Sequence, residues 1–378
     1  MIAGITYGYL YAHYFKESDS WTYFNESLTD YYNLLHHPSV FFSLQTNTGS
    51  ITDLFSTQNN AFWSNAGDNI LIKLLGVLNL FSGGNYYVDS ILYNLFSFTG
   101  LYLIYAMCAT KFTNNKLWIF LIIFFLPSNL FWGSGIAKEG LIAFFSGLLI
   151  YTADKIISSA AYKVKNILLL IFGLCGILLM RTATALIFFP ALISWYISTK
   201  IKSRSYIIYA MCYISFIALF FLSIYFNSKF NLPLNLAGKQ HQFLLLEGNS
   251  KLELTPLKPT FASYLSVLPQ ALNHIFLRPY LNEIKSPFYL LTFTENLLVL
   301  LIILMCVFFT KKQMLLKLLN PFSLFCISLA LTGYLLIGYT VPFSGAIIRY
   351  KAFYTIFLLL PFINFINLKH SYRHIIFK

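Results

Sequence analysis

Three turns between apolar runs carry charges that a turn does not need. In PSNLFWGSGIAKEGL, Lys138 and Glu139 stand together at the start of an apolar run. In LLMRTATAL, Arg181 separates two apolar runs with almost no loop, and GAIIRYK brings Arg349 and Lys351 to the head of the last run. Arg278 in LRPY, with Glu283 close behind, precedes another run, and Glu295 falls inside it. Clustered cations clamp a phosphate or pyrophosphate and stabilise its charge as it leaves. The free N–H groups and dipole of a helix start favour the same anion, and Gly133 and Gly135 would let it approach Lys138 closely. Each charge also has an ordinary alternative. Glu139 could satisfy the helix start and pair with Lys138. Arg181 could snorkel to lipid phosphate, Arg349 and Tyr350 could anchor at headgroups, and Glu295 could pair with an arginine.

A transfer reaction also needs a base. FKESDSWTYFNES places Glu17 and Asp19 directly after the first apolar run, with Trp21, Tyr23 and Phe24 following. A carboxylate there could deprotonate a sugar hydroxyl within hydrogen-bond reach, and the aromatics could stack on a sugar ring; an ordinary solvated acidic loop is the alternative. Carboxylates (Asp19, Glu139, Glu295) with cations (Lys138, Arg181, Arg278, Arg349, Lys351) suit glycosyl transfer from a lipid-linked phosphate donor. The sequence contains no Walker motif and no GxSxG. Cys108, Cys175, Cys212, Cys306 and Cys326 all lie in apolar runs without CxxC spacing, and the seven His form no HExxH. No cofactor is indicated. A divalent metal would be compatible with phosphate chemistry, but no residue cluster calls for one.

The elements that must position these residues are membrane helices. The chain is 58% hydrophobic and 10% charged over 378 residues, and its apolar runs reach the roughly 20 residues that a helix needs to cross a bilayer. Ten spans are predicted: 1–15, 87–109, 117–131, 140–153, 166–180, 183–199, 206–227, 288–309, 320–340 and 352–367. The first is short for a full span; it lacks a basic n-region and an A-x-A site, which argues against a signal peptide. The segments 110–116, 154–165, 200–205, 310–319 and 368–378 hold fourteen Lys and Arg and one acid, Asp154. By the positive-inside rule these are cytoplasmic, and ten crossings put both termini there. The same rule accounts for the net charge of +13 without nucleic acid. Two long outer segments remain, 16–86 and 228–287. Within the first, Ile70, Leu71, Leu74, Leu75, Leu78 and Phe81 recur at helical spacing, with Lys73 on another face. This predicts an amphipathic helix over 69–82 on the outer membrane surface. A further span there would break the alternation of loop charge. The expected fold is therefore an all-α, polytopic transmembrane bundle forming one membrane domain over 1–378.

With an acidic site after the first helix (Glu17 and Asp19, then Tyr23), a surface helix before the second span, the PSNLFWGSGIAKEG turn and the late GAIIRYK turn, the chain resembles the multi-spanning GT-C-type glycosyltransferases. It is also similar to the related polysaccharide polymerases of bacterial envelope loci. The likeness covers most of the chain in layout. It implies a bacterial inner-membrane enzyme using a polyprenyl-phosphate or polyprenyl-diphosphate sugar, a glycan or lipid-linked acceptor and surrounding lipid. It gives Asp19, more readily than Glu17, the role of base. The chain departs from the GT-C pattern in lacking a pair of adjacent acids and a large soluble C-terminal domain. The polymerase relatives use outer-face arginines, which implies weight on Arg181, Arg278 and Arg349. A transporter or flippase of a lipid-linked glycan is the alternative. It would carry charges at the bilayer midplane and two related halves with broken helices; Glu295 alone approaches that, and no repeat is present.

Overall fold

The computed structural model describes residues 1–15, 19–42, 65–112, 116–159, 163–201, 204–227, 230–248, 250–284, 286–309 and 316–363. Among these it is all-α, and an isolated bridge between Lys251 and Phe343 is the extended pairing recorded. In chain order the helices are α1 (Ile2–His13), α2 (Asp19–His36), α3 (Pro38–Phe42), α4 (Ala66–Ser82), α5 (Tyr86–Lys111), α6 (Lys116–Phe125), α7 (Pro127–Trp132) and α8 (Lys138–Ser158). They continue with α9 (Val164–Met180), α10 (Thr182–Lys200), α11 (Ser205–Leu222), α12 (Leu232–Leu245), α13 (Phe261–Phe276), α14 (Pro287–Phe309), α15 (Pro321–Thr340) and α16 (Ser344–Ile363).

Seven of the described helices are long and apolar enough to cross a membrane: Tyr86–Lys111, Lys138–Ser158, Thr182–Lys200, Ser205–Tyr225, Tyr289–Cys306, Pro321–Thr340 and Ser344–Phe362. Each overlaps a predicted span; the last begins at Ser344 rather than at 352, which puts Arg349 and Lys351 inside the helix instead of at its head. The other three predicted spans are shorter or broken. The run 1–15 gives the 12-residue α1. The run 117–131 is interrupted ahead of Pro127, which has no N–H to continue a helix and disfavours the helical state of the residue before it; α6 and the short α7 result. The 17 residues of α9 reach about 25 Å, against about 30 Å of hydrocarbon.

The chain divides into two compact units, one of Met1–Cys108 with Asn129–Ala185, the other of Ala109–Ser128 with Leu186–Lys378. In the first, the segment 16–86 is largely helical where described. The predicted helix over 69–82 forms as α4. Leu71, Leu75 and Leu78 of its apolar stripe are buried with Phe24, Tyr86, Tyr93, Leu141 and Met180, and Ile70 and Leu74 pack against them. The stripe is thus covered by protein, while Val77, Leu80 and Phe81 remain exposed. Lys73 turns toward α2 and α3, donating to the Phe41 carbonyl at 2.8 Å and to Asp30 at 3.4 Å. Helices α5 and α8 cross at two glycines: a Cβ on Gly147 would stand 2.1 Å from the Gly100 carbonyl. Small residues at such a crossing let the backbones touch, a packing mode suited to lipid, where burial alone does not drive helices together.

In the second unit, Trp195, Phe322 and Phe325 form an aromatic stack with Lys111 over two of the rings. The segment 228–287 folds around Gln240, which is 1% exposed. Its amide donates to the Thr255 and Tyr339 carbonyls and accepts from Leu257 N–H. A buried amide with its polar atoms satisfied can fix one arrangement of apolar neighbours, here Ala237, Leu254, Leu257, Tyr264 and Val267.

Candidate functional site

In the first unit, helix ends bring the charges together. Asp68 lies in the first turn of α4, Lys138 and Glu139 in the first turn of α8, and Arg181 caps the C-terminus of α9. Gly67 lets α4 meet α9 end to end, since a Cβ there would lie 2.8 Å from the Met180 carbonyl. Lys138 Nζ is 2.7 Å from Asp68 Oδ1, and Arg181 Nη2 is 3.0 Å from Glu139 Oε1. Tyr23 on α2 donates to the same Asp68 oxygen at 2.5 Å. All four charges are partly accessible.

The helix dipole makes three of these placements unremarkable and one informative. Acids belong at helix starts and a cation at a helix end, which describes Asp68, Glu139 and Arg181. Lys138 is a cation at a helix start, where the dipole opposes it. Its position is stabilised by Asp68, a residue the sequence reading did not single out. The signal was available in Asp68 preceding an amphipathic helix, but its partner lies 70 residues away and only folding brings them together.

The turn before α8 is held from below. Asn94 Nδ2 donates to the Ser134 carbonyl at 2.8 Å, Ser97 Oγ to Gly133 at 3.0 Å, and the Tyr93 hydroxyl to Ala137. A Cβ on Gly135 would strike the Tyr7 ring. The close approach that this glycine permits is therefore to an aromatic ring of the protein. The aromatics after Asp19 are likewise occupied: Trp21 stacks face to face on Tyr86 with centroids 4.0 Å apart, Phe24 is 5% exposed, and Tyr23 is bound to Asp68. Asp19 is exposed in the first turn of α2, one turn before Tyr23. The carboxylate that Lys138 holds is Asp68 rather than Asp19. Glu17 lies outside the described residues.

The second unit gathers Arg278, Glu283, Glu295 and Lys351. Lys351 on α16 is 4% exposed and donates to the Ile275 carbonyl at 2.9 Å and to Asn296 Oδ1 at 2.7 Å. Asn296 returns its amide N–H to the Arg278 carbonyl at 2.7 Å. Glu295, expected to seek an arginine, instead accepts from the Ser128 N–H at 2.8 Å and the Ser128 hydroxyl at 2.5 Å, at the start of α7. Arg278 pairs with Glu283 at 3.2 Å and lies over the Tyr280 ring. Arg349 is partly buried beside Tyr350. Lys351 is thus committed to its own fold, whereas Arg278 and Arg349 stay partly accessible. His274, also missed from sequence, is buried in the last turn of α13; burial, then the neighbouring Arg278 charge, push its pKa below the ordinary histidine value, with Glu283 opposing.

Of the predicted residues, the structure brings Lys138, Glu139 and Arg181 into one cluster of the first unit, and Arg278 and Lys351 into one network of the second. Among the described residues no group of three or more His, Cys, Asp or Glu could hold a metal ion. Comparisons with protein-family models, curated proteins and solved structures find no match to this chain.

Proposed function

We propose that this membrane protein is a glycosyltransferase or polysaccharide polymerase that uses a polyprenyl-phosphate-linked sugar donor at the face of the bacterial inner membrane away from the cytoplasm. The carrying observation is Lys138 at the positive end of α8 with Arg181 close in the same cluster, each cation resting on a carboxylate. A cation at a helix start with a second cation in the same cluster suits a phosphate headgroup. In this reading the donor phosphate takes over Lys138 and Arg181, and Asp68 or Glu139, released from its cation, accepts the acceptor-hydroxyl proton. Asp19 remains a candidate base one turn from Tyr23. A lipid-linked donor would enter from the surrounding bilayer, and a glycan or lipid-linked acceptor from the aqueous side.

The test is glycan synthesis from a polyprenyl-diphosphate sugar in membranes carrying the protein. Lys138→Ala and Arg181→Ala are expected to lose product while protein level stays normal. Wild-type product from both variants removes these residues from the site. A second reading, movement of a lipid-linked glycan across the bilayer, draws on the buried Lys351 and Glu295 within apolar helices. Intact synthesis with lost translocation in the Glu295→Gln variant would favour it.

A further inference from the structure

Asp89 is the unusual carboxylate of the first unit. It lies in the first turn of α5 and is 0% exposed, and neither carboxylate oxygen has a hydrogen-bond partner. A bare carboxylate buried this way costs several kcal/mol unless something neutralises it. The ion pairs of the described residues engage Asp30, Asp68, Glu139 and Glu283, not Asp89. A bound proton would neutralise it as a bound cation would, and the two are separated by their response to salt and to pH.

The polar side chain recorded beside Asp89 is Ser82. Gly83 and Gly84, with φ of +64° and +79°, turn the chain from α4 into α5, so the C-terminal end of α4 comes back toward Asp89. The Ser82 hydroxyl lies beside Asp89 and donates to Asn79 Oδ1 at 3.4 Å. Asn79, fully buried one turn earlier, is oriented by its N–H donation to Ser27 Oγ at 2.9 Å, which in turn donates to the Phe24 carbonyl. That bond turns the Asn79 carbonyl oxygen toward Ser82, 3.4 Å away. The last carbonyls of α4 lack intrahelical donors and carry the negative end of its dipole. A carboxylate, a hydroxyl, an amide oxygen and a helix C-terminus all favour positive charge.

We propose that Asp89, with the neighbouring Ser82 and the Asn79 amide oxygen behind it, forms a binding site for a monovalent alkali cation, reached through the partly exposed Ser82. One carboxylate matches one positive charge. Calcium sites generally combine more carboxylates among six to eight oxygens, and magnesium retains much of its water. The site is separate from the Lys138 cluster in residues and in chemistry, and does not depend on the proposed activity.

The experiment is thermal unfolding of the purified full chain in detergent, in sodium, potassium or N-methylglucamine chloride at equal ionic strength. Wild type is expected to melt higher by a few °C, saturably, with sodium or potassium than with N-methylglucamine. Asp89→Asn is expected to stay folded and lose that dependence; if it does not fold, Ser82→Ala should need several-fold more cation for the same shift. A wild-type melting temperature equal in all three salts overturns the proposal. So does an undiminished response in Asp89→Asn and in Ser82→Ala, a response to calcium or magnesium alone, or a rise on acidification without a salt effect, which would assign Asp89 a proton.

Discussion

The Lys138 cluster and the Lys351 network use similar residues to opposite ends. Lys138 and Arg181 each touch one carboxylate at a junction of helix ends, and their side chains are 23% and 28% exposed. Lys351 is sealed inside a long apolar helix and spends its donors on a carbonyl and an amide. Exchange of a partner costs little where water can cover the released group. In the buried network the same exchange would strand a polar atom in a medium that cannot solvate it. The first arrangement is suited to a visiting anion and the second to holding α13, α14 and α16 together.

This contrast can be broken most forcefully at Lys351. Lys351→Met leaves Asn296 and the Ile275 carbonyl without their donor and is expected to cost roughly 3–5 kcal/mol, read as a large fall in melting temperature or loss of folded protein. Near-wild-type stability would place Lys351 with the accessible cations. A double-mutant cycle on Lys138→Met and Asp68→Asn sharpens the other side. The partly accessible pair should couple by only about 1 kcal/mol in thermal unfolding, while either single variant lowers glycan synthesis far more than stability. Coupling of several kcal/mol would make the pair a structural bond.

The smallest effect is expected at His274, beside the buried network. Its folded pKa lies below the ordinary value near 6.5, so the folded state holds it neutral and binds fewer protons than the unfolded chain. The stability it contributes is complete above about pH 6.5 and declines as pH falls from there toward its folded value. Melting profiles against pH should show that acid limb shallower in His274→Gln than in wild type, and identical limbs would remove His274 from the pH response.

Hydropathy was sufficient for the all-α membrane fold because a span must satisfy its backbone within itself, and so is written locally in the chain. The same locality made α4 legible from the spacing of Leu71, Leu75 and Leu78, and the break in 117–131 follows from Pro127. Partnership is not local. Lys138 was visible as a charge at a helix start, but its ion pair with Asp68, the choice of Ser128 over an arginine for Glu295, and the stacking of Trp21 on Tyr86 each join residues far apart in sequence. Asp89 gave no signal at all, since an acid at the head of a helix is ordinary until packing removes its water. The sequence by itself therefore determined which segments are helices and where charge could gather. Only tertiary structure decided which charges meet, which are sealed, and which keep access to water, because desolvation and pairing depend on neighbours that the chain supplies only when folded.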